Sequence, residues 1–114
     1  MELNANALRT HLDYSAWASA RLVAAASALA PEELTRDFGT ADHSVLGTLV
    51  HVYAADRIWL SRIRGNPPAR FIDPAKDMRL DVLQDDWPKL LEEWQNWAAG
   101  LTDESLGASL RYKT

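Results

Sequence analysis

Three histidines, His11, His43 and His51, are the side chains best suited to ligate a metal ion or carry a proton near neutral pH. None stands four residues from another, the spacing that puts two imidazoles on one helix face. A transition-metal site ordinarily takes three or four N, O or S ligands. His51 is set apart by its neighbours. On a helix, Ser44, Gly47, Thr48, Ala54 and Ala55 stack around it and leave a face almost free of bulk. A helical glycine costs about 1 kcal/mol against alanine, so such a face implies that something comes close to it. Another helix backbone, a ligand, or a metal held by the imidazole would each fit. From the residues alone, His51 is either a ligand or a partly buried histidine hydrogen-bonded to a neighbouring helix. His11 and His43 read as solvent-facing or capping residues.

The carboxylates offer less. Asp85-Asp86 and Glu92-Glu93 look like acid pairs, but neighbours on a helix point about 100° apart and neither pair converges. Asp56 differs, because it interrupts an apolar stripe. A buried charge there needs a partner, an arginine or a tyrosine hydroxyl. Five tryptophans are many for 114 residues, and Trp87, Trp94 and Trp97 fall on core-like positions of one helix. They read as packing groups rather than a ligand cage.

The elements that position these groups are helical. Leu8, Leu12, Ser15, Ser19, Leu22, Ala26 and Leu29 mark one stripe of a first helix over about 4–29, widened by Tyr14 and Trp17. Pro31 suits the first position of a new helix, and a Thr-, Asp- and Gly-containing loop follows to His43. A second helix opens at Ser44, whose hydroxyl caps free N–H groups, and runs to Arg64 with the stripe Val45, Leu49, Val52, Trp59 and Ile63. Gly65 and Asn66-Pro67-Pro68 end it. A connection without clear period crosses to about Arg79. The third helix, 80–99, carries Leu83, Trp87, Leu90, Trp94 and Trp97, a 4-3 spacing that Leu101 just beyond it continues. Gly100 ends it, and Thr102 caps one further turn. Ser109–Thr114 alternates like a strand.

One domain is expected over 1–114. The absence of cysteine excludes disulfides, thiolate metal sites and a cysteine nucleophile. A net charge of −4 argues against a nucleic-acid binder. The basic residues Arg57, Arg62, Arg64 and Arg70 read as a solvated helix end. No apolar run approaches the ~20 residues of a membrane span, and the N-terminus lacks a signal-peptide pattern. A cytoplasmic protein is expected.

The run from Tyr14 to Leu22, followed by Leu29-Ala30-Pro31-Glu32-Glu33-Leu34, resembles the opening of the DinB family. So does Ser44-Val45-Leu46-Gly47-Thr48-Leu49-Val50-His51-Val52, continued by Ala55-Asp56-Arg57-Ile58-Trp59-Leu60-Ser61-Arg62 and Gly65. The resemblance implies an all-α, up-and-down four-helix bundle with one longer crossover, here three long helices plus the strand-like terminal segment. It implies a homodimer or higher oligomer and a divalent ion, zinc or nickel, for which His51 is the first ligand. Asp56 becomes a neighbour of that ligand, and Tyr14, Trp17 and Tyr53 become candidates to line a pocket. Related members are thiol-dependent transferases or isomerases using a low-molecular-weight thiol. The implied reaction is therefore S-transfer or hydrolysis, the ion acting as a Lewis acid that lowers the nucleophile's pKa.

The family's other two ligands form a His-x-x-x-His pair on a fourth helix, and this sequence ends at Thr114 without one. An incomplete domain with little or no activity of its own is the expectation. The competing expectation is a non-catalytic helical module that self-associates, with Gly47, Ala54 and Ala55 at a helix seam and His51 a packing residue there.

Overall fold

The computed structural model describes residues 4–66 and 70–107. These form α1 (Ala5–Ser27), α2 (Pro31–Thr35), α3 (Val45–Ile63), α4 (Pro74–Asp77), α5 (Leu80–Ala99) and α6 (Asp103–Leu106). The described residues are all-helical or irregular, with no strand among them, and the segment expected to be strand-like lies outside them. None of the described helices is long and apolar enough to cross a membrane.

The helix ends follow local chemistry. The side chains of Asn4, Ser44 and Thr102 accept hydrogen bonds from the N–H groups of Ala7, Gly47 and Ser105. Glu33 reaches back to accept from the Ala30 N–H, and Gly65 takes the left-handed φ of 75° just after α3. The short α4 was not expected, since four residues are too few to show a period. Its signal is Asp73 followed by Pro74: the Asp73 side chain accepts from the Ala75 N–H, and Pro74 occupies the first turn.

Tertiary pairs set the directions. Arg9 donates to the carbonyls of Ala98 and Leu101, Gln95 bonds Asp13, and Gln84 bonds Ser27, so α1 and α5 run antiparallel. Asp103 accepts from the Ala5 N–H and closes this end. Along α3 and α5 the pairs rise together, from Tyr53 with Trp87 to Arg64 with Glu93, so these two helices run in the same direction. The crossover between them must therefore travel back along the molecule.

Leu34, Leu46, Leu49, Val50, Tyr53, Leu60, Leu83, Trp87, Leu90 and Leu91 form the core. The stripe expected on α5 is in place, with Leu83, Trp87 and Leu90 buried. On α1 the expected stripe holds for the most part, with Ser19 and Ala26 buried and Leu29 packed on the core, but Leu22 is exposed while Ala16 and Val23 pack on the core. On α3, Val52 and Trp59 are exposed, while Tyr53 and Leu60, each one residue later, are buried. One residue is about 100° of rotation. Because α3 is apolar around much of its circumference, periodicity alone does not choose among its faces.

Candidate functional site

The site begins with the loop before α3. His43 has φ of 67°, in the left-handed region that non-glycine residues enter at a cost of about 1–2 kcal/mol. The Ser44 N–H donates to the Asp42 carbonyl at 2.8 Å across this residue, a γ-turn of the rare hand. Two more bonds hold the loop: the Phe38 N–H donates to the His43 carbonyl at 2.7 Å, and the His43 N–H to the Thr40 carbonyl at 3.0 Å. The turn presses the Asp42 carbonyl onto α3 at Gly47, where an added Cβ would overlap the carbonyl oxygen. The close approach announced by the bare helix face is thus made by the chain's own preceding loop. Of the three small residues expected at a helix seam, Gly47 and Ala54 are buried within the chain itself and Ala55 is partly buried.

His51 lies one turn after Gly47. Its Nδ1 stands 3.3 Å from Asp42 Oδ1, and about half of its side chain is exposed. The ring meets Phe71 of the crossover edge to face, with centroids 5.2 Å apart. The carboxylate that faces His51 is therefore Asp42, which the sequence reading did not single out. Helix-face arithmetic cannot reach a loop partner, and an aspartate just before a helix reads as a cap.

Asp56, expected beside His51, is occupied elsewhere. Its Oδ2 accepts from the Trp87 indole N–H at 3.0 Å, and its carbonyl from the Trp94 indole N–H at 2.9 Å. Burial pushes its carboxyl above the ordinary range, partly offset by the Trp87 bond. A cleft of about 290 Å³ passes Asp56 and is walled by Trp59, Trp94, Leu12 and the exposed His11. Arg57 corrects the solvated-end expectation for the basic cluster. Its guanidinium grips both Asp77 oxygens, at 3.1 and 2.8 Å, and the Phe71 carbonyl at 2.9 Å. The Arg57 bond holds the Asp77 carboxyl below its ordinary range against the opposing effect of burial. The clamp fixes the crossover, and so fixes Phe71 against His51.

The three pocket candidates do not come together. Tyr53 is core, its ring edge-on to Trp87 with Arg57 over its face. Burial raises its phenol, opposed by Arg57. Tyr14 and Trp17 touch each other on the exposed surface of α1, with Arg21 over the Trp17 ring. A second cleft, about 360 Å³ between α1 and α5, is lined by Ala16, Val23, Leu83, Trp87 and Leu91 and includes none of the three. Among the described residues no three His, Cys, Asp or Glu side chains are grouped to hold a metal ion. His51 backed by a carboxylate has the arrangement usual for one ligating imidazole, and the described donors fit a metal centre only to that extent.

The DinB family model matches residues 1–104. No curated protein and no solved structure matches the chain.

Proposed function

Because the chain belongs to the DinB family, we propose that it acts as a DinB-like divalent-metal-binding protein in which His51 supplies one imidazole ligand. The observation that carries this reading is the pairing of a half-exposed His51 with the Asp42 carboxylate at Nδ1, which leaves the other ring nitrogen for a ligand. The remaining ligands of a zinc or nickel ion would come from outside the described residues, on the four-helix pattern of the family. By the same resemblance the reaction is transfer involving a low-molecular-weight thiol, or hydrolysis. Metal content of protein purified without an affinity tag tests the first step. Zinc or nickel that depends on His51 and is lost in His51→Ala is expected, held weakly because the described residues supply one of the usual three or four ligands; metal uptake unchanged in His51→Ala sinks the reading.

A second reading, a self-associating helical module, is favoured by the exposure of large apolar side chains on two helices: Tyr14, Trp17 and Leu22 on α1, Val52 and Trp59 on α3. Covering them would give a homodimer or higher oligomer, which is also compatible with the first reading. Sedimentation at micromolar concentration decides this, and a stable monomer removes it.

A further inference from the structure

We infer that Asp42 is the positioning residue of His51: its carboxylate holds the imidazole proton on Nδ1, so that Nε2 is presented as the lone-pair donor. It rests on the reading of His51 as the working group of the site, and it adds the residue that prepares that group. A neutral imidazole carries one proton, and the nitrogen that keeps it is chosen by the hydrogen-bonding partner of the ring. In water the free side chain prefers the proton on Nε2, the opposite of what an Nδ1 donor would need. A carboxylate placed at Nδ1 reverses the preference, the role that a second carboxylate commonly takes behind a ligating histidine.

The geometry supports more than a chance surface pair. Asp42 is carried on a turn closed by three backbone hydrogen bonds and by a left-handed residue. That turn is seated on α3 at a position where only glycine admits the Asp42 carbonyl. From the opposite chain segment, Phe71 meets the imidazole ring, and the Arg57 clamp holds the Phe71 carbonyl. The Asp42 backbone and the His51 ring are therefore each held by their own supports, and the carboxylate reaches the ring from that fixed backbone. The same loop provides a comparison. His43 Nδ1 stands 3.4 Å from Asp37 Oδ2, but those side chains are 72% and 64% exposed, against 49% and 36% for His51 and Asp42. Water competes more freely for that outer pair.

Long-range proton–nitrogen NMR on the full chain, at a pH where the imidazoles are neutral, reads the tautomer of each histidine. His51 is expected mostly in the Nδ1–H form, and Asp42→Ala to shift it toward the Nε2–H form of free histidine. Asp37→Ala should leave His51 unchanged. Wild-type His51 in the Nε2–H form, or a His51 tautomer ratio indifferent to Asp42→Ala, overturns the inference. If Asp42→Ala does not fold, the wild-type spectrum still decides. The outcome separates from that of the metal reading. An Nδ1–H His51 in protein that takes up no zinc overturns metal binding alone. A zinc-binding protein whose metal-free His51 is Nε2–H overturns the role of Asp42 alone.

Discussion

Asp56 and Arg57 are neighbours in the chain, about 100° apart around α3, and the fold treats their charges in opposite ways. Arg57 turns toward the crossover and meets a full counter-charge, a two-oxygen grip on Asp77. Asp56 turns toward α5 and meets only the neutral indole N–H of Trp87. Both aspartates lose water, yet the carboxyl of Asp77 is held down and that of Asp56 is pushed up. At Asp77 the guanidinium bond outweighs desolvation, whereas at Asp56 desolvation is the larger effect and one indole N–H offsets it only in part. The difference also assigns the two sides of α3: the Arg57 side fastens a long connection, and the Asp56 side anchors Trp87 through its carboxylate and Trp94 through its backbone carbonyl.

The comparison breaks most visibly at Asp77. The Arg57 and Asp77 side chains are only 26% and 10% exposed, so Asp77→Ala leaves a largely desolvated guanidinium without its counter-charge. A loss of about 3 kcal/mol is expected, the low end for a buried pair because Arg57 keeps some water. Denaturant titration measures it, with earlier hydrogen exchange in the crossover. A loss below about 1 kcal/mol would place the pair among ordinary surface bridges. The wild-type clamp also sets an acid limit. Since Asp77's folded pKa is lowered, its contribution is present above the unfolded carboxylate value and disappears as pH falls through the depressed folded value.

Trp87→Phe comes next. It removes the donor to Asp56 and shrinks a ring that is 1% exposed, for a cost of about 2 kcal/mol. Asp56→Asn should have the smallest effect, within about 1 kcal/mol, because the amide oxygen still accepts from the indole while the desolvated charge is gone. Here the pH sign is reversed. A raised folded pKa means that ionising Asp56 costs stability, fully so above that folded value, and the cost vanishes as pH falls to the unfolded value. The Asn variant should therefore be at least as stable as wild type at neutral pH and lose that advantage on acidification. A variant destabilised by several kcal/mol at neutral pH would mean that the charge of Asp56 is needed.

Much of the scaffold is legible in the residues themselves. Ser44, Gly65, Gly100 and Thr102 mark helix ends through hydrogen bonds and φ angles that are local, so the boundaries follow from neighbours in the chain. The α5 stripe is legible because its polar and apolar faces are cleanly divided. On α3 that division is lacking, and Val52 and Trp59 read as core in place of Tyr53 and Leu60. The candidate site shows the same limit. Gly47 signals a close approach, but nothing in its spacing says that the approaching atom belongs to Asp42. Asp56 announces itself as a buried charge in need of a partner, yet its partner is an indole 31 residues away.

The sequence by itself therefore determined the long helices, most of their caps and the family. These depend on interactions within a few residues, or on patterns that survive without knowledge of neighbours in space. Only the tertiary structure decided which face of α3 is buried, that Arg57 belongs to a clamp rather than to solvent, and that Asp42 rather than Asp56 stands beside His51. Each of those outcomes is a choice among partners distant in the chain or carried on an irregular loop. Desolvation and packing make that choice only when the helices and their connections are brought together.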